Sequence, residues 1–174
     1  MKWIALFSQT GTEIRDLSEK LGRSPDLIYT NNRSNDIWQR VLHEVDSQVL
    51  VFNHIDIMNR IKNYQKDALI TLHGYLRIIP EDVCRECNIV NGHPGLITEY
   101  PWMKGKDPQE KIEPWMAWIG SVVHKVAPEV DAGQVLTEDR IALKEAETFK
   151  GNYYNMLRIT SLNAWEKYFE EYQT

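Results

Sequence analysis

Several large protein classes are excluded by what this chain has little of. Among its 174 residues are only two cysteines. Two thiols give no disulfide framework, so a reducing setting, the cytoplasm, is expected. No hydrophobic run approaches the about 20 residues that cross a bilayer. The apolar start Met1-Lys2-Trp3-Ile4-Ala5-Leu6-Phe7 meets Ser8-Gln9 too soon to be the core of a signal peptide. A basic excess is also missing: 20 Lys and Arg stand against 25 Asp and Glu, a net charge of −5, and the basic residues are scattered. Neither nucleic acid nor membrane is therefore an expected partner. The chain has no Gly-x-Gly-x-x-Gly dinucleotide fingerprint and no Gly-Lys-Ser or Gly-Lys-Thr phosphate loop. Its five histidines show no paired ligand spacing, so no metal is expected, and His54, His73 and His124 read as ordinary polar residues. The pair Cys84 and Cys87 has no second Cys-x-x-Cys partner and reads as small hydrophobes on one face of a helix after Pro80.

What is present suffices for a core. With 43% hydrophobic and 26% charged residues, the chain is expected to form one globular domain over residues 1–174. Short apolar runs at 3–7, 27–29, 49–52, 68–72 and 89–90 are continuous rather than alternating, the mark of strands buried on both faces of a parallel sheet. Helical patterns at 12–21, 36–45, 56–64 and 80–86 lie between them; the first places Ile14, Leu17, Ser18 and Leu21 on one side and stops at Gly22. This alternation predicts an α/β fold, a Rossmann-like open, mostly parallel sheet flanked by helices. Residues 94–114, with four prolines and two glycines, read as a surface excursion containing at most short helical turns. Strands are expected at 119–126 and 134–143. A long C-terminal helix over 147–172 is expected to pack on the sheet through Tyr153, Leu157, Trp165, Tyr168, Phe169 and Tyr172.

Asn91-Gly92-His93-Pro94-Gly95 closes the fifth strand, and Asp131-Ala132-Gly133 follows the sixth. The segment also reads simply as a turn, since Asn tolerates unusual backbone angles and Pro-Gly reverses a chain. If strand geometry continues through Gly92, however, Asn91 and His93 project to one side. An amide, an imidazole and a carboxylate together can stabilise an oxyanion and move a proton. Two loops share the carboxyl end of the strands, where open α/β sheets bind ligands. One is Ser8-Gln9-Thr10-Gly11-Thr12-Glu13, which a helix cap by Thr10 or Thr12 explains equally well. The other is His73-Gly74-Tyr75-Leu76-Arg77-Ile78-Ile79, whose glycine suggests close backbone approach and whose Arg77 alone reads as a solvated charge.

At Ser8 to Glu13, at Gly74-Tyr75-Leu76-Arg77-Ile78, at Asn91-Gly92-His93-Pro94-Gly95-Leu96, and at Ser121-Val122-Val123-His124-Lys125-Val126 leading to Asp131-Ala132-Gly133, the chain resembles the folate-dependent formyltransferases, most closely their glycinamide ribonucleotide formyltransferase branch. The resemblance runs from the first strand to about residue 141. It implies a Rossmann-like sheet, catalysis by Asn91, His93 and Asp131, and 10-formyltetrahydrofolate as donor. By the same resemblance the pterin is held around residues 76–79 and 127–131, making Gly74, Leu76, Arg77, Ile79 and Val130 the expected donor-binding residues, and Gly11, Thr12, Glu13 and Pro94 the acceptor-binding ones. Asn91 and protonated His93 would stabilise the oxyanion formed when an amine attacks the formyl carbon, while Asp131 holds His93 and assists proton transfer to the leaving folate nitrogen.

The chain departs from that branch at the first loop, where Gln9 replaces a glycine and Glu13 stands at the position of an asparagine that faces a substrate phosphate. A carboxylate there repels phosphate, although a capping charge at a helix start is the plainer reading. Lys104, Lys106 and Lys150 are basic residues able to hold an anionic substrate instead, and the segment from Trp102 to Trp118 also differs. The expectation is formyl transfer to a primary amine of a small acceptor, an amino sugar or amino nucleotide. Phosphoribosylglycinamide formylation in purine synthesis is the alternative, and a non-catalytic folate- or nucleotide-binding module is a third reading.

Overall fold

A computed structural model describes residues 1–146 and 153–173. The chain divides into two compact units, residues 1–91 with 126–128, and residues 92–125 with 129–174.

In the first unit the predicted alternation is realised as β1 (Lys2–Phe7), α1 (Thr12–Leu21), β2 (Leu27–Thr30), α2 (Asn35–Val41), β3 (Val49–Val51), α3 (His54–Lys62), β4 (Ala68–Leu72), α4 (Glu81–Glu86) and β5 (Asn88–His93). The strands lie in the order β3-β2-β1-β4-β5, and every pairing among them is parallel. Successive side chains of β1 feed opposite layers, as the two-residue strand period requires. Ile4 and Leu6 pack with Ile57, Met58 and Ile61 of α3 and Val83 of α4. Ala5 and Phe7 meet Ile14 of α1 and Trp38 of α2 on the other face. Each such fully buried aliphatic or aromatic side chain contributes about 1.5–3 kcal/mol. That two-sided burial is why these strands read as unbroken apolar runs.

Boundaries shift for local reasons. Helix α3 starts two residues before its apolar pattern, because the Asn53 side chain accepts the Asp56 N–H at 2.8 Å and caps it. Helix α2 stops at Val41, short of the expected residue 45. Strand β5 extends through His93, so extended backbone rather than a turn carries Asn91, Gly92 and His93.

The second unit is built on an antiparallel pair, β6 (Trp118–Lys125) and β7 (Val135–Ala142). A four-residue helix α5 (Leu143–Ala146), only whose first residue fell within the expected strand 134–143, precedes α6 (Tyr153–Tyr172). Helix α6 buries Met156, Leu157, Thr160, Ser161, Ala164, Trp165, Tyr168 and Phe169. Its hydroxyls and backbone are tied to the hairpin: Ser121 Oγ donates to Leu157 O at 2.9 Å, and Thr137 Oγ1 donates to Ala164 O at 2.8 Å. The expected helix start at 147–152, including Lys150, lies outside the described residues.

The excursion at 94–114 is not confined to the surface. Leu96, Ile97, Tyr100, Met103 and Ile112 turn inward onto Ile119 and Val122 of β6 and onto Met156 and Leu157 of α6. Its expected short helical turns are 3₁₀ turns at Pro101–Met103 and Pro108–Lys111, each led by proline. Proline and glycine density marked it as irregular backbone; it did not mark it as solvated. Among the described residues no helix is long and apolar enough to cross a membrane.

Candidate active site

Strand β5 delivers His93 into the second unit with its ring buried. The Nε2 of His93 lies 2.7 Å from the Met103 carbonyl oxygen. A carbonyl only accepts, so Nε2 carries a proton there. The other ring nitrogen, Nδ1, faces Asp131 Oδ2 at 3.4 Å. Asp131 is buried as well, and Oδ2 also accepts the Gly105 N–H at 2.8 Å. Its second oxygen, Oδ1, stands 3.4 Å from Nε2 of His124, whose Nδ1 donates to the Lys125 carbonyl at 2.8 Å. One carboxylate thus sits between two imidazoles, each with its outer nitrogen committed to a backbone carbonyl.

Electrostatics follow from this placement. Burial pushes the His93 ring below its ordinary value, and the adjacent Asp131 charge only partly offsets that. For Asp131 burial acts upward, yet the His124 hydrogen bond, the His93 charge and the Gly105 N–H together hold its carboxyl below the usual carboxylate range. A neutral His93 consequently presents a bare Nδ1 to an ionised acid. A proton arriving at Nδ1 completes an ion pair. This is an arrangement suited to accepting and holding a proton during a reaction.

Three local features make the arrangement. A register irregularity at Val123/His124 shifts the β6–β7 pairing beside His124, as bulges do at sites. Asp131 adopts the left-handed backbone region, φ 52°, which Asp tolerates better than most residues. At Gly95 a Cβ would press on the His93 ring from 3.0 Å, so that position accommodates no side chain without movement.

Asn91 lies on β5 two residues before His93, half-buried and in register with Leu72 of β4. In the first unit the 73–80 loop is tied to the loop after β1: Ser8 N donates to Gly74 O at 3.2 Å, and Ser8 Oγ accepts the Leu76 N–H at 2.9 Å. Gly74 has φ +66° with only Gln9 Oε1 near its missing Cβ, so conformation rather than crowding demands glycine. Leu76 and Arg77 are exposed, while the Ile79 side chain is buried in the core, leaving only its backbone to meet a ligand. Val130 and Pro94 are exposed.

The first turn of α1 differs from the sequence expectation. Gly11, buried with φ +75°, is the N-cap; the Thr10 hydroxyl, one residue outside it, accepts the Thr12 N–H at 3.4 Å and bonds the Thr12 hydroxyl at 2.7 Å. Glu13 is engaged rather than a bare capping charge: its Oε1 is 2.7 Å from Nδ1 of buried His73. Behind His73, Nε2 meets Thr71 Oγ1 at 2.7 Å, which also accepts the Trp3 indole N–H at 2.8 Å. The indole only donates and the carboxylate accepts, so the two ends of this chain are fixed, with Trp3 giving to Thr71 and Glu13 receiving from His73.

His124 and His73 are the functional-looking residues that sequence reasoning passed over. His124 closes the text Ser121 to Val126 that leads into Asp131, and its place at the end of β6 was the available signal. Nothing in the local pattern joins His73 to Glu13 across the first unit. Among the described residues no group of three or more His, Cys, Asp or Glu is placed to hold a metal ion. Cys84 and Cys87 are free thiols, both pushed up by burial, which favours the thiol over the thiolate.

These elements define a Rossmann-like α/β protein that carries a buried carboxylate between two histidines. The chain belongs to the formyl transferase family, whose model matches residues 25–164. It is 31% identical over 83 residues to the trifunctional purine biosynthetic protein adenosine-3 of Bos taurus, an alignment covering 46% of this chain and 8% of that protein. It is 29% identical over 108 residues to the phosphoribosylglycinamide formyltransferase of Dictyostelium discoideum, covering 55% of this chain and 51% of that one. The chain therefore matches about half or less of the length of these curated relatives. In fold it is similar to the crystal structure of glycinamide ribonucleotide transformylase 1 from Symbiobacterium toebii, with a TM-score of 0.77 at 18% identity over 96% of this chain and 84% of that one.

Proposed function

We propose that this protein, acting over residues 1–174 as one formyltransferase-like domain in the cytosol, transfers the formyl group of 10-formyltetrahydrofolate to the primary amine of a small acceptor, an amino sugar or amino nucleotide. The observation that carries this reading is the buried Asp131 carboxylate between His93 and His124 in a chain of the formyl transferase family. The acceptor nitrogen attacks the formyl carbon, a carbon–nitrogen bond forms, and the carbonyl oxygen becomes an oxyanion. The Asn91 amide and the His93 Nε2–H, here held by the Met103 carbonyl, stabilise that charge once the 101–105 turn yields the proton to it. Asp131 holds the proton shed by the amine at His93 Nδ1 until it passes to the departing folate nitrogen, whose bond to the formyl carbon breaks.

Donor recognition is assigned to Gly74, Leu76, Arg77, Ile79 and Val130, with the 74–76 backbone set by Ser8. Gly11, Thr12, Glu13 and Pro94 are assigned to the acceptor. The Glu13–His73 pair supports an acceptor that is neutral or cationic at this end, because a carboxylate in the first helical turn occupies the ground that an anion would otherwise take. Formylation of phosphoribosylglycinamide is the second reading, favoured by the relative from Dictyostelium discoideum.

The test compares kcat/KM for phosphorylated and dephosphorylated forms of one amine, with transfer from labelled donor read by mass. The dephosphorylated form is expected to be preferred, with Glu13→Asn narrowing the difference. A preference for the phosphorylated form that Glu13→Asn leaves unaltered restores phosphoribosylglycinamide as the acceptor.

A further inference from the structure

In sequence His54 is a lone polar residue; in the fold it braces the loop that follows β4. It is the first residue of α3, directly after the Asn53 cap, so its backbone is set by the start of a helix. Its Nδ1 lies 2.6 Å from the Tyr75 hydroxyl, and the two rings lie against each other with centroids 5.7 Å apart. Tyr75 is itself buried, and burial pushes its phenol up, so it keeps its proton. Burial and the Arg77 charge push the His54 ring below its ordinary value, which favours the neutral ring, while hydrogen bonding to the Ile78 backbone acts the other way. A neutral imidazole has one donor and one acceptor nitrogen. A ring that gives its N–H to the Ile78 backbone has Nδ1 left to take the Tyr75 O–H.

Two anchors from different parts of the first unit therefore hold one short loop. Ser8, after β1, binds the Gly74 carbonyl and the Leu76 N–H, and His54, at the start of α3, binds at residues 75 and 78. Held in this way, the loop leaves the apolar side chains of Leu76 and Ile78 63% and 69% exposed. A connection needs no such bracing merely to turn, whereas a backbone edge that must read a ligand loses less freedom on binding if it is already fixed. We propose that His54 is a positioning residue for the formyl donor: by taking the Tyr75 O–H and giving its own N–H to the Ile78 backbone, it sets the shape of the 75–78 edge against which the folate is bound. This inference rests on the proposed assignment of the donor to the loop after β4 and names the side chain that shapes that loop.

The experiment titrates 5-formyltetrahydrofolate by calorimetry into the wild-type chain, His54→Ala, His54→Asn, Tyr75→Phe and the double variant His54→Ala with Tyr75→Phe, and follows amide hydrogen exchange in the folate-free proteins. A hydrogen bond of ordinary strength is a factor of roughly 2 to 12 in an equilibrium. His54→Ala and Tyr75→Phe are each expected to weaken folate binding by about that factor, and to speed exchange across residues 75–79 while the β4 amides stay protected. The double variant is expected to lose no more than His54→Ala alone, because the two side chains act through one contact. His54→Asn, which returns a side-chain oxygen to accept the Tyr75 O–H, is expected to recover part of the loss. In the transfer assay the weakened variants raise the KM for the donor and leave the KM for the acceptor unaltered. Unchanged folate affinity in His54→Ala overturns the inference and leaves formyl transfer standing, as do losses that add in the double variant or an exchange pattern that does not change. Failure of the wild-type chain to bind the folate overturns the inference and the donor assignment together. Folate binding that depends on His54 in a protein that transfers no formyl group supports the inference and removes the transfer reading alone.

Discussion

At the scale of single residues, His93 illustrates how a side chain's chemistry is set by what surrounds it. The Met103 carbonyl fixes which nitrogen carries the proton, and burial holds the ring below its ordinary value of about 6.5. Since the folded ring is depressed, the folded state keeps it neutral while the unfolded chain protonates it near that ordinary value. Its contribution to stability is therefore complete above about 6.5 and is lost as the pH falls toward the folded value. Urea unfolding of the wild-type chain should show a midpoint that drops between about pH 7 and 5.5 more steeply than that of His93→Gln. Parallel curves would remove burial of a neutral His93 from the account. Asn91, His93 and Asp131 could be read as candidates from residue type, spacing and the family text. His124 lay within the same family text at the end of β6, but its pairing with Asp131 depends on a strand-pairing irregularity and on the fold bringing Asp131 back to it, neither of which leaves a local pattern.

At the scale of elements, the parallel strands were readable because burial on both faces leaves unbroken apolar runs, as in β1 and β4. The excursion was less so: Leu96, Ile97, Met103 and Ile112 are inward-facing but spaced by no period, since proline-led 3₁₀ turns rather than one regular element carry them. Helix α6 influences the site through Trp165, which is wholly buried and whose indole a Cβ at Gly92 would run into. Gly92 lies between Asn91 and His93, so the helix packs against the backbone of β5 between the two residues proposed to act in catalysis. Gly92→Ala is expected to cost about 1–3 kcal/mol through overpacking, and to lower turnover further by displacing His93. Restoration of both by the added substitution Trp165→Phe, read by thermal unfolding and by turnover, is the outcome that assigns the effect to this contact. A Gly92→Ala chain as stable and active as the wild type contradicts it.

At the scale of the molecule, a doubly wound unit presents the loops after β1 and β4, and a hairpin-and-helix unit builds the carboxylate between two histidines; β5 runs from one into the other and carries Asn91 and His93. The central claim is that Asp131 and His93 work as one device for formyl transfer, and residues that act as a unit lose most activity when either is removed. The most direct measurement follows isotopically labelled formyl from 10-formyltetrahydrofolate into a panel of small amines by mass, for the wild-type chain, His93→Ala and Asp131→Asn. Transfer by the wild-type chain, with each variant folded and slower by about a hundredfold or more, is the predicted result. Near-normal turnover in either folded variant, or labelled formyl that reaches no amine in the wild type, would contradict the account.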